Sequence, residues 1–228
     1  NAFGKKNFIG TFAVPYAVVN DFQFLHTQPM LTRRAGLIEA VKVALVRDGE
    51  FFDWLEKNVR GLLSLNEATL EEAVQRSAVH HARHIAQGGD PFELGSSRPL
   101  DYGHWAAHKL EQLTDFELSH GEAVSVGVSL DTLYAAKVGL LEAVDAERVL
   151  KLIEGLELPI WHEALELKDQ KGRRRVFNGL EEFREHLGGE LTVLLLKETG
   201  VGVDVHEIDE TIWEECANEL KARALSMV

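Results

Sequence analysis

"DYGHWAAHKLEQLTDFELSHGEAVSVG", residues 101–127, is the stretch on which the reading of this chain turns. It carries three histidines, His104, His108 and His120, among helix-forming residues. His120 is followed at once by glycine inside an apolar helical pattern, where glycine costs roughly 1 kcal/mol relative to alanine. A compensating gain is therefore expected, and a closely approached metal site is one candidate. His104 and His120 fall near the starts of two successive predicted helices, which can pack side by side with both imidazoles at one end. Gly103, Ala106, Ala107, Gly121, Ala123 and Gly127 are small enough to let those helices approach closely.

The periodicity around this stretch is helical. Leu37, Val41 and Ala44 recur at helical spacing in a helix that Thr32 would cap. Asp48 would cap a short helix after it, and further helices are predicted at about 66–87, 101–115, 120–138 and 145–154. Asp209 would cap a last helix running to Leu225. "LTVLLLKETGVGVDVHEI" predicts a hairpin turning at its glycines. The run Ala17-Val18-Val19 predicts a buried strand, the end of a domain that lies mostly elsewhere. The expected architecture is mainly α: residues 1–22 as the remnant of an α/β domain, and 23–228 as a helical domain with a small hairpin.

Composition narrows the function classes. The 228 residues are 45% hydrophobic and 27% charged, ordinary values for a globular domain, with a formal net charge of −13. That charge disfavours nonspecific attraction to nucleic acid or anionic membrane. Cys216 is the single cysteine, so neither an intrachain disulfide nor a thiolate zinc cluster is available. No run approaches the length of a membrane span and no signal peptide is visible, which gives a cytoplasmic expectation.

A catalytic zinc site takes three ligands from His and Asp/Glu and keeps one position open. Glu39, set among Leu37, Ile38, Ala40 and Val41, is the candidate carboxylate to join His104 and His120, with Lys42 on the same helix face. Spacing alone leaves the plainer readings standing: helix-face histidines that pack or face water, and an exposed Glu39–Lys42 pair. The "HHARH" cluster at 80–84 reads as a solvated helix face, "RRR" at 173–175 as an exposed loop, and Trp54, Trp161 and Trp213 as packing residues.

"AGLIEAVK", "GHWAAH" and "LSHGEAVSVG" together resemble the C-terminal part of 3-dehydroquinate synthase, in the sugar phosphate cyclase superfamily. "GKKNFIGTF" and "FLHTQP" resemble that family's preceding segments, and the histidine separation of sixteen matches as well. The resemblance implies that Glu39, His104 and His120 ligate Zn2+ or another divalent metal such as Co2+. It places Lys42 on substrate beside the metal, Asn7 and His108 on the substrate phosphate, and Lys6, Phe24, Leu25, His26 and Thr27 on NAD. The implied chemistry is transient oxidation by NAD, phosphate loss, re-reduction and intramolecular aldol closure. The enzyme so implied is a homodimer acting on a sugar phosphate.

The departures from the family pattern are specific. His81 stands where the synthases carry a lysine, while Ser97 and Asp101 replace an arginine and an asparagine, with Arg98 one place off. His81 and Asp101 therefore join the candidate substrate residues, and a valiolone-type cyclase acting on sedoheptulose 7-phosphate is the alternative. The implied dinucleotide-binding domain has no glycine-rich loop in this sequence, so these residues are read as a C-terminal fragment, inactive alone. Two further readings stay open: a metal-dependent dehydrogenase of the glycerol dehydrogenase type, and a non-catalytic binding domain.

Overall fold

The computed structural model describes Ala13 and residues 16–87, 101–186 and 191–226, the side chains at 85, 87, 185 and 186 aside. These residues are mainly helical, with a two-stranded antiparallel hairpin. The helices are α1 (Met30–Arg47), α2 (Gly49–Lys57), α3 (Val59–Leu63), α4 (Glu67–Gln87), α5 (His104–Leu113), α6 (His120–Lys137), α7 (Ala143–Gly155), α8 (Asn178–His186) and α9 (Glu210–Ser226). The hairpin joins β1 (Val193–Glu198) to β2 (Val201–Val205). No helix among the described residues is long and apolar enough to cross a membrane.

α6 is the central element. Apolar and small residues occupy its whole circumference, and Ala123–Thr132 are buried without a break. A helix buried on all sides must be packed on all sides, and α1, α5, α7, α9 and β1 lie against it. Its start is fixed locally: the Glu122 carboxylate accepts from the backbone N–H of Ser119 at 3.0 Å and from its hydroxyl at 2.5 Å. This Ser-x-x-Glu arrangement sets the first turn and so places His120 at the helix end.

The glycines decide how closely α6 is approached. A Cβ on Gly121 would lie 2.3 Å from the Ala35 carbonyl oxygen on α1, and one on Gly127 would lie 2.0 Å from that of Gly103. The glycine after His120 is thus offset by contact between α6 and the α1 backbone. Gly103 itself has φ +76°, a left-handed conformation at the start of α5.

The hairpin pairs Val193 with Val205 and Leu195 with Val203, and buries Val193, Leu195 and Leu196 against the helices. At its turn Gly200 (φ +91°) donates its N–H to the Leu45 carbonyl of α1 at 2.7 Å. Asp48 caps α2 through the Phe51 N–H at 2.9 Å, and Asp209 accepts from Thr211 at the head of α9, as their positions in the sequence suggest.

Three expectations are corrected. Ala17–Val19 form no strand, and Val18 and Val19 are exposed, because no neighbouring strand among the described residues offers hydrogen bonds. Thr32 does not cap α1: the helix begins at Met30 after Pro29, whose fixed φ suits a helix start, and Thr32 lies in the first turn.

The third concerns the arginine run. Arg174 is buried, not exposed in a loop. Its guanidinium binds Glu166 at 2.7 Å, Glu214 at 2.5 Å, the Asn218 amide oxygen at 2.6 Å and the Leu165 carbonyl at 2.7 Å. That fork ties the irregular 163–177 segment to α9.

Cys216 is fully buried on α9, and burial pushes its thiol up to about 12. The thiolate is the reactive form. Alkylation by iodoacetamide at pH 8 is therefore expected to be negligible in the folded protein and complete in denaturant. Rapid native labelling would show that α9 opens.

Candidate metal centre

Three elements deliver one cluster. α1 carries Glu39 and, one turn on, Lys42; α5 begins at His104; α6 begins at His120. Donor atoms of Glu39, His104 and His120 lie within 4.8 Å of one another, and the two imidazole rings are 5.4 Å apart in an edge-on arrangement. The helix starts converge because Gly103 and Gly127 bring α5 onto α6, and Gly121 brings α6 onto α1.

Each imidazole is oriented from behind. His104 Nδ1 lies 3.1 Å from the Tyr102 carbonyl oxygen, an acceptor only, so Nδ1 carries the proton. His120 Nδ1 donates to the Glu111 carboxylate at 3.2 Å. Both Nε2 lone pairs are thereby directed to the inner side, His120 Nε2 at 3.5 Å from Glu39 Oε1 and His104 Nε2 at 3.4 Å from Lys42 Nζ. Such outer partners set the tautomer and aim of metal-ligating histidines.

The charges are arranged around this point. Lys42 is buried, its ammonium 2.7 Å from Glu39 Oε2. Burial alone would raise the Glu39 carboxyl, but its polar neighbours, the Lys42 ammonium among them, outweigh it and hold Glu39 well below the usual carboxylate range. Burial first, and then the Lys42 charge, press His104 down to about 3. At neutral pH the cluster therefore presents one carboxylate and a neutral His104. Glu39 Oε1 is buried and has no hydrogen-bond partner. An anionic oxygen in that position calls for a cation, and one carboxylate with two imidazoles is a donor set suited to a divalent metal with an open position. The residues fit the group.

The other residues singled out from the sequence are spread around the cluster. His108, exposed on the next turn of α5, has its ring 5.4 Å from that of His104. A cleft of about 450 Å³ opens beside Glu39 and Lys42 and is lined also by Arg33, Leu25, Ser77 and His81. His81 is thus on the cleft wall, contributed by α4. Asp101 sits just before α5, where its backbone carbonyl accepts from the His104 N–H at 2.9 Å. Phe24, Leu25, His26 and Thr27 belong to a short 3-10 helix, Phe22–Thr27, that reaches the cleft through Leu25, with His26 3.2 Å from Glu67. Lys6, Asn7, Ser97 and Arg98 lie outside the described residues.

Two acidic residues escaped the sequence reading. Glu111, buried on α5, orients His120; it is two helical turns from His104 on the same face, a spacing that marks it in retrospect. Asp131 is fully buried on α6 and accepts from Trp105 Nε1 at 2.9 Å and from the Gly103 N–H at 3.1 Å. Burial pushes its carboxyl up to about 8 against those two bonds. The signal was a lone acid in the apolar run 123–136.

Comparison with known proteins agrees with this architecture. Residues 36–174 match the family described as 3-dehydroquinate synthase C-terminal. The chain is 33% identical over 211 residues to a 3-dehydroquinate synthase of Acinetobacter baumannii (strain SDF), an alignment covering 92% of this chain and 56% of that protein. A 3-dehydroquinate synthase of a Nitratiruptor species is 39% identical over 170 residues, covering 74% of this chain and 47% of the relative. The chain thus spans about half the length of these relatives.

Among solved structures, the 2-epi-5-epi-valiolone synthase ValA of Streptomyces hygroscopicus subsp. jinggangensis 5008, with NAD+ and Zn2+ bound, superposes with a TM-score of 0.85. It is 26% identical, and the match covers 96% of this chain and 59% of that one. A 2-deoxy-scyllo-inosose synthase complexed with carbaglucose-6-phosphate, NAD+ and Co2+ shares the fold, with a TM-score of 0.69 at 20% identity over 96% of this chain and 60% of that one.

Proposed function

We propose, from the premise that the chain belongs to the 3-dehydroquinate synthase C-terminal family, that it is the metal- and substrate-binding part of a sugar phosphate cyclase. The observation that carries this reading is the convergence of Glu39, His104 and His120 around a buried Glu39 oxygen that lacks a hydrogen bond. These three residues would hold Zn2+ or Co2+, which when bound supplies Lewis-acid polarisation of an oxygen on the reacting carbon.

The chain's own side chains then divide the remaining work. Lys42 is held beside Glu39 and His104 at the cleft, so its ammonium can donate to a substrate hydroxyl or oxyanion there. His108, exposed on the same side of α5 as His104, is assigned to the substrate phosphate together with Asn7. The rim segment Phe24–Thr27 and Lys6 would touch NAD, the hydride acceptor for a transient oxidation. The reading extends to a homodimer in the cytoplasm.

The proposed substrate head group rests on the departures from the family pattern, of which His81 lines the cleft. A sugar acid needs positive or amide donors for its carboxylate, and His81 and Asp101 stand where the family has lysine and asparagine. Losing a charge-assisted contact costs about 1.5–3 kcal/mol, and a nearby Asp101 repels a carboxylate further. A neutral seven-carbon ketose phosphate such as sedoheptulose 7-phosphate meets neither penalty, and Asp101 can accept from its hydroxyl.

The test is inorganic phosphate release by the full-length protein with NAD and Zn2+, ketose phosphate and sugar acid phosphate side by side. We expect at least about tenfold higher kcat/KM with the ketose, the equivalent of one lost contact. Higher efficiency with the sugar acid overturns the head-group assignment, and no phosphate release from any sugar phosphate overturns the cyclase reading. Residues 1–228 alone should release none.

A further inference from the structure

We infer that Asp131 is a positioning residue for the metal centre, holding the Gly103 backbone and the Trp105 indole on either side of His104 from the far half of the helix that carries His120. The inference rests on the metal-site reading above and adds to it a residue that touches neither metal nor substrate.

The geometry is a clamp. Asp131 Oδ2 accepts from the Gly103 N–H at 3.1 Å, and Oδ1 accepts from Trp105 Nε1 at 2.9 Å. The following residue on α6, Thr132, meets the Tyr102 hydroxyl at 2.5 Å. Tyr102, Gly103 and Trp105 are therefore each bound to α6, while the residue they bracket, His104, points the other way toward Glu39 and Lys42. Tyr102 also provides the carbonyl that orients the His104 ring. The His104–His120 separation is in this way set within one rigid body: His120 grows from the start of α6, and His104 is held by α6 eleven residues later.

Chemistry gives the reason for an acid there. A fully buried carboxyl group, charged or protonated, carries a desolvation cost that an apolar side chain in the same helix would avoid. An apolar side chain would leave the buried Gly103 N–H and the Trp105 indole N–H without an acceptor. The two oxygens of Asp131 give one acceptor to each of two donors that lie on opposite sides of His104. The Trp105 ring is pinned independently, 4.5 Å from Trp213 between ring centres, so the indole bond acts as a fixed strut.

The experiment is Co2+ titration of the metal-free full-length protein, read by visible absorption, alongside the melting temperature of the metal-free form. Three variants are compared with the parent: Asp131→Asn, Trp105→Phe and Leu150→Ala. Asn keeps the size of Asp but turns one acceptor into a donor; Trp105→Phe removes only the indole strut; Leu150→Ala, on α7, destabilises the fold away from the cluster. Outer partners of metal ligands typically contribute about 10–100-fold in affinity. Asp131→Asn is expected to weaken Co2+ binding by at least about tenfold with an altered absorption band, and Trp105→Phe by less in the same direction. Leu150→Ala should bind as the parent does despite a lower melting temperature.

Unchanged Co2+ affinity in Asp131→Asn overturns the inference, as does a loss in Leu150→Ala that matches its drop in melting temperature. Should Asp131→Asn fail to fold, Trp105→Phe decides alone, and parental affinity there overturns it. A parent protein whose Co2+ binding survives His120→Ala fails the metal-site reading itself, a result distinct from either.

Discussion

His120→Ala is expected to lose the divalent ion outright. Its Nε2 lies 3.5 Å from Glu39 Oε1 on the inner side of the cluster, and the Glu111 bond behind it serves to hold that aim. Removing an outer partner of a metal ligand costs about 10–100-fold in affinity, and removing the ligand must cost more. Glu39→Ala should behave alike, since it also strips the anion that balances Lys42. His108→Ala should retain the ion while impairing phosphate release. Elemental analysis after gel filtration checks all three. About one zinc per chain in His120→Ala would remove that residue from the ligand set.

Gly127→Ala is expected to be the most damaging single-methyl substitution among the described glycines. The added Cβ would sit 2.0 Å from the Gly103 carbonyl oxygen, and neither backbone can yield without parting α5 from α6. Overpacking a well-filled core commonly costs about 1–3 kcal/mol, and a clash between two backbones belongs at or above about 3 kcal/mol. The roughly 1 kcal/mol of helix propensity that alanine adds does not offset it. Chemical denaturation measures the loss. Because the same contact sets the distance between His104 and His120, the Co2+ affinity of any folded Gly127→Ala protein should fall with it. A variant within about 1 kcal/mol of the parent would show that α5 can slide on α6.

The elements were legible where local chemistry fixes them. Asp48, Asp209 and the glycines at 139 and 200 mark ends that a cap or a left-handed residue determines within a few residues. α8 and the Arg174 hub were not legible, because nothing near Arg174 in sequence reveals that Glu214 and Asn218, about forty residues on, will surround it. Ala17–Val19 misled for a related reason: β-prone residues make a strand only beside another one.

For the site, the ligand types and the pairing of Glu39 with Lys42 one turn apart are properties of the chain itself, readable from helical period. So is the strangeness of a glycine after His120. The sequence by itself also determined that two histidines would stand at the heads of neighbouring helices, since Gly103 and the Ser119–Glu122 box start those helices locally. Tertiary structure alone decided that α1 crosses there, that Lys42 is buried against His104, and that Glu111 and Asp131 serve as struts. The physical reason is range. Caps and periods act through bonds a few residues long, whereas the burial that shifts His104 and Asp131, and the neighbours that hold Glu39 down against it, come together only when separate helices exclude water from a shared interface.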